Sequence, residues 1–296
     1  MLLLHARHQL ANIATLGRLG RLAVQKKRVP GPSGARSGEL KAVPDSLIAD
    51  YIRWCGGDPK LWRGRVPPHL FPQWSFPLLA RSLEQVPYRI ERVLNQGCRL
   101  TIRSPLPRGE RLTANADVVS IQEDERKARI HQRIVTGPKD LPEAVVADVY
   151  AVVPLPANGG ERPSKRREKP RVPLGWRPLT SRRLGSRAGW EFALLTGDFN
   201  PVHWLRPYAG AAGFPSTILH GFAQMAIASE ALVRHRFGGD ISKLHTLDVR
   251  FVRPLLLPAR PAVFIGHDAH GAGDHGIAVG TAPGGPAFMI GSYSTR

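Results

Sequence analysis

The chain has 296 residues, 42% of them hydrophobic and 22% charged, and a formal net charge of +19. That length allows one large domain or two of roughly 150 residues, and no apolar run reaches the about 18 residues that a membrane-spanning helix needs. Two cysteines, Cys55 and Cys98, without a CxxC or Cys/His pattern, exclude a disulfide framework and a structural zinc module and suit a soluble protein of a reducing, cytoplasmic compartment.

Residues 1–38 hold no acidic residue but carry Arg7, Arg18, Arg21, Lys26, Lys27, Arg28 and Arg36, with Leu10, Ile13, Leu16 and Leu19 at helical or near-helical intervals. This predicts an amphipathic helix. It fits a membrane-surface anchor, a mitochondrial transit peptide if the chain is eukaryotic, or a solvated basic arm.

An N-terminal half follows over residues 39–155. Phe71 to Glu84 reads as a helix that Pro77 starts or kinks. Alternating, β-branched segments come next, at Tyr88 to Val93, Cys98 to Ile102, Leu112 to Ile121, Ala128 to Val135 and Val145 to Val153. Residues 156–173, basic and containing prolines, read as a solvated linker.

The same order returns in a C-terminal half, residues 174–296. Thr217 to Phe237 reads as a helix stopped by Gly238 and Gly239, and strands are expected at Leu247 to Pro254, Ala262 to Gly266, Gly276 to Thr281 and Ala287 to Tyr293. The helix is small on several faces (Ala223, Ala226, Ala228, Ser229, Ala231), so other structure must wrap it. An antiparallel sheet curled around one buried helix, repeated twice, accounts for the pattern. The expected class is α+β.

Chemistry concentrates in Gly197 to Gly221, GDFNPVHWLRPYAGAAGFPSTILHG. It offers a carboxylate, an amide and an imidazole within six residues (Asp198, Asn200, His203), then His220 and Gly221 at the start of the small-residue helix. Gly197, Asn200 and Pro201 mark a turn on which Asp198 and His203 can converge. An Asp and a His five apart mean little by themselves.

GDFNPVH, then Ala209 to Phe214, then ILHGF over Ile218 to Phe222 together resemble the signature of the MaoC-like (R)-specific enoyl-CoA hydratases, or hydratase 2. The resemblance covers about 25 contiguous residues, extends to Ser229, and includes the following DVRFVRPLLLP. It implies the hot-dog fold; the N-terminal half lacks a dyad, and by element order and length resembles the half that helps hold an acyl chain in the family's double hot-dog members. It further implies that Asp198 and His203 activate a water for addition to a trans-2-enoyl thioester, giving an (R)-3-hydroxyacyl thioester, or the reverse dehydration. Asn200 would shape the turn, and Ser229 would hydrogen-bond near the imidazole. The N–H of Gly221, in the first turn of the helix, can meet the thioester oxygen. His220 is either a helix-start residue or a direct participant. Family members often carry an acidic residue two positions after the histidine. Here the run is His203, Trp204, Leu205, Arg206, so local substrate contact differs and Trp204 is a candidate lining of the acyl channel.

The substrate implied is an acyl-CoA or acyl-carrier-protein thioester, and positive charge suits both. A 3-hydroxyacyl-carrier-protein dehydratase is the alternative enzyme. A non-catalytic hot-dog protein that binds anionic membrane or nucleic acid through its basic segments is the alternative of another class; no aromatic residues interleave those segments, so nucleic acid is not an expected partner. Monomer and homodimer both stay open. No cofactor or metal is expected: GAGDHG at Gly271 to Gly276 lacks a strand-to-helix junction, and His267, Asp268, His270, Asp274 and His275 share one glycine-rich hairpin loop.

Overall fold

The computed structural model describes residues 2–10, 12, 14–15, 36–84, 86–88, 93–155, 168–267 and 275–296. Twelve strands are present among them: β1 (Arg36–Leu40), β2 (Arg65–Val66), β3 (Leu94–Ile102), β4 (Leu106–Pro107), β5 (Leu112–Asp124), β6 (Lys127–Gly137), β7 (Val145–Pro154), β8 (Arg177–Ser181), β9 (Leu244–Phe251), β10 (Ala262–His267), β11 (His275–Gly280) and β12 (Ala287–Thr295). The helices that matter here are α1 (Asp45–Cys55), α2 (Pro72–Ser82), α3 (Ala188–Thr196), α4 (Arg206–Ala211) and α5 (Gly221–Ala231).

Ten strands form one antiparallel sheet in the order β1-β5-β6-β7-β3-β9-β12-β11-β10-β8. Alternation explains its two faces. In β6, Ala128, Ile130, Gln132 and Ile134 point inward while Arg129 and Arg133 point out. The buried Gln132 is satisfied by the Leu79 carbonyl at 3.0 Å and the Ser82 hydroxyl at 2.6 Å. Helix α2 packs on β1, β5 and β6, and α5 packs on β3 and β9 to β12.

Where the sequence suggested two sheets, the halves share one. Strands β3 and β9 pair antiparallel from Gly97↔Arg250 to Thr101↔Thr246, with buried Cys98 and Leu100 opposite buried Val249 and Leu247. One apolar core accordingly runs through both halves, from Ile48, Tyr51 and Phe71 to Phe192, Met225 and Leu247.

Helix α1 is an addition to the expected elements. Its apolar side chains at Leu47, Ile48, Tyr51, Ile52 and Cys55 recur with helical period, and Gly56 caps it with φ +90°. Helix α5 starts four residues later than expected. The Thr217 carbonyl accepts from the Leu257 N–H at 2.9 Å and the Leu219 N–H donates to the Leu255 carbonyl at 2.8 Å. These groups are committed sideways, so the helical ladder begins only at Gly221. Of the strand expected at Tyr88 to Val93, residues 89–92 lie outside the described residues, as do most of the linker, residues 16–35 of the basic segment, and residues 268–274 of the glycine-rich loop. Among the described residues no helix is long and apolar enough to cross a membrane.

Candidate active site

Helix α3 delivers the chain to the site. Gly197 ends it with φ +80°, donating to the Ala193 carbonyl at 2.7 Å. The chain then turns on its own polar groups. The Asn200 N–H donates to Asp198 Oδ1 at 3.3 Å, and the Asn200 side chain accepts from the Val202 N–H at 3.2 Å, capping the short 3-10 turn Pro201–His203. Asn200 itself is exposed, so the structure places it as a turn former.

His203 is half-buried and bonded through Nδ1 to the Ile218 carbonyl at 2.8 Å. A carbonyl only accepts, so the hydrogen of the neutral ring sits on Nδ1 and Nε2 keeps its lone pair. His220 is 1% exposed, stacks on His203 with ring centres 3.6 Å apart, and donates from Nε2 to the Asp198 carbonyl at 2.9 Å. Its Nε2 also lies 4.0 Å from Asp198 Oδ2, while Nδ1 is buried with no hydrogen-bond partner among the described residues. Phe192 backs the His220 ring at 5.0 Å. This orienting contact had no local signal in the sequence.

Gly221 is the first residue of α5, where the N–H groups of the first turn have no partner within the helix. A Cβ there would meet the Phe251 ring at 2.5 Å, so only glycine lets that ring and the helix start approach. Trp204 is half-buried, donates to the Phe199 carbonyl at 3.1 Å, and meets Trp190 edge-on at 5.1 Å, an aromatic clamp on the turn. Ser229 does not join the imidazoles. Fully buried on α5, its hydroxyl donates to the Met225 carbonyl at 3.0 Å, the usual solution for a serine with no other acceptor in reach.

Asp198, His203 and His220 each offer an atom within 4.8 Å of the others, a spacing that could hold a metal ion. The Asp198 carbonyl occupies the Nε2–H of His220, so in that tautomer His220 has no lone pair to give from Nε2.

Burial lowers the pKa of His203 below its ordinary 6.5, against the opposing pull of the Asp198 charge and the Ile218 bond. Burial, then the adjacent His203, push His220 well below 6.5. Both rings are therefore neutral at pH 7. The unfolded chain takes up protons near pH 6.5 that the folded pair refuses, so the pair's contribution is intact above pH 6.5 and is lost as pH falls through the folded values. Urea unfolding at a series of pH values should show stability declining below about pH 6.5. His220→Phe, which keeps the stacked ring but cannot titrate, should flatten that decline; an unchanged slope would show that the pair does not set it.

Residues 165–281 match the family described as MaoC like domain. A curated relative, 3-hydroxyacyl-thioester dehydratase Y of Mycobacterium tuberculosis, is 30% identical over 169 residues, 54% of this chain and 56% of that protein. The chain thus spans about half the length of that relative. Among solved structures, HtdX of Mycobacterium tuberculosis superposes with a TM-score of 0.69 at 17% identity, over 88% of this chain and 100% of that one. Another protein of Mycobacterium tuberculosis, described as having a double hotdog fold, gives a TM-score of 0.55 at 14% identity, over 91% of this chain and 100% of that one. The fold is the hot dog, and residues 165–281 are similar to the MaoC like domain.

Proposed function

We propose that the chain is a hydro-lyase of acyl thioesters: it adds water to a trans-2-enoyl thioester to form an (R)-3-hydroxyacyl thioester, or runs the reverse dehydration. The observation that carries this is the Asp198 carboxylate beside a neutral His203 whose Nδ1 is anchored on Ile218, at the N-terminal end of α5. A water held between Asp198 and His203 loses a proton to the free His203 Nε2 as its oxygen bonds to C3 of the substrate. The electron pair of the C2–C3 double bond moves toward the thioester oxygen, where the Gly221 N–H and the helix dipole stabilise the charge. The proton is then delivered to C2, so the atoms of one water end on adjacent carbons and both residues return to their starting state.

In this reading residues 174–296 are the catalytic half. Residues 39–155, their part of the sheet curled about α2, shape the acyl channel, and Trp204 borders its mouth. The name of the Mycobacterium relative and the hydratase-like motif describe one chemistry in two directions. The net charge of +19 suits the phosphates of coenzyme A as well as an acidic carrier protein. Loss of enoyl-thioester absorbance on trans-2-enoyl-CoA and on the same acyl group carried by a carrier protein, with chiral analysis of the product, tests the proposal. Formation of the (R)-alcohol is expected. Inactivity on both carriers across chain lengths, or an (S)-product, would contradict it.

A further inference from the structure

The described part of the N-terminal segment buries polar side chains while several leucines stay exposed; of the apolar positions expected to form its face, Leu10 alone lies among the described residues. His5 and Gln9, on the 3-10 helix Leu2–Gln9, and Asn12 just beyond it are 3%, 0% and 2% exposed. Leu3, Leu4 and Leu10 are 67%, 66% and 68% exposed. Burying polar side chains is unfavourable unless they are bonded. These bonds reach into both halves: His5 Nε2 meets Asp50 of α1 at 2.9 Å, Gln9 donates to the Leu194 carbonyl of α3 at 3.0 Å, and Asn12 donates to Gln9 at 2.8 Å and to the Gln73 carbonyl of α2 at 3.3 Å.

Two of these contacts end beside the candidate catalytic turn. Leu194 lies in the last turn of α3, where carbonyls have no partner within the helix, so Gln9 caps the helix that presents Asp198. The Asn12 amide fills the space against Gly197. A Cβ at Gly197 would lie 1.9 Å from Asn12 Nδ2 and 2.4 Å from its Cγ. Asp198 is the next residue.

We propose that Gln9 and Asn12 are positioning residues: they back the end of α3 and Gly197, and thereby fix where Asp198 stands relative to His203 and His220. What the turn catalyses rests on the hydro-lyase reading above; that it is held from behind by residues 9 and 12 does not. A segment that reads as a basic arm therefore works as a strut of the active site, coupling α2 of the non-catalytic half to the turn through the Gln73 carbonyl. Sub-ångström placement matters because small misalignments of a proton-handling pair lower the rate without lowering substrate affinity.

The test compares the full chain with Asn12→Ala, Gln9→Ala and His5→Ala. His5→Ala loosens the same segment at its other end, away from the turn, and serves as the control for simple loss of packing. Two readouts are taken: kcat and KM on a trans-2-enoyl-CoA, and the NMR ring signals of His203 and His220 through a pH titration. Asn12→Ala is expected to lower kcat about tenfold or more with KM within about twofold, and to shift both ring signals. His5→Ala is expected to lower Tm while leaving kcat and those signals near wild type. Gln9→Ala should resemble Asn12→Ala, and Asn12→Ser replaces the alanine variant if that does not fold. Equal loss of kcat in Asn12→Ala and His5→Ala, in step with Tm, would overturn the proposal, as would unmoved ring signals in Asn12→Ala. An inactive wild type would refute the hydro-lyase reading, and the ring signals would then decide the positioning role alone.

Discussion

Asp198→Asn and His203→Gln are each expected to lower kcat/KM for enoyl-thioester hydration by about a thousandfold or more while leaving Tm within a few degrees of wild type. The reason is local. Asn keeps the shape of Asp198 and the acceptor for the Asn200 N–H but loses the charge. Gln at position 203 retains a donor for the Ile218 carbonyl but offers no basic nitrogen. Neither change empties a fully buried site, since Asp198 and His203 are both half-buried. Steady-state rates with thermal melts of the same preparations check it. A variant that keeps more than about a tenth of wild-type kcat/KM removes that residue from the chemistry.

Gly221→Ala is expected to cost both stability and rate. Its Cβ would sit 2.5 Å from Cε2 and 2.6 Å from Cδ2 of Phe251, closer than real Cβ contacts come, so the ring or the start of α5 must move. Overpacking of this kind costs about 1–3 kcal/mol, and a displaced oxyanion donor costs about 100-fold or more in kcat. Phe251→Ala added to Gly221→Ala relieves the steric part, so the double variant should regain stability over Gly221→Ala in urea unfolding. If it does not, the Phe251 contact is not what makes glycine necessary.

How much of this was legible beforehand depended on how local each feature is. The turn at Gly197 to His203 could be read because its folding instructions, a left-handed glycine, an asparagine cap and a proline, lie within seven residues. The strands of β6 and β7 could be read because alternation is written along each one. The late start of α5 could not, because Thr217 to His220 look helical until the backbone groups of residues 255–257 compete for them. Likewise the joining of β3 to β9 is a long-range register choice, carried by Cys98 and Leu100 opposite Val249 and Leu247. Ser229 illustrates the converse: a position matched to a family pattern whose hydroxyl is bonded within its own helix. The strut was hidden most deeply. Gln9 and Leu194 are 185 residues apart, and buried polar side chains reverse the pattern from which burial is normally inferred.

The central claim is that Asp198 and His203 act together on one water in a hydro-lyase reaction. A double-mutant cycle on hydration of a trans-2-enoyl-CoA tests it most directly, with wild type, Asp198→Asn, His203→Gln and the double variant assayed under one set of conditions. Groups that work as a unit are not additive, so the double variant should be no slower than the slower single variant within about threefold. Losses that multiply, or single variants as active as wild type, would contradict the account.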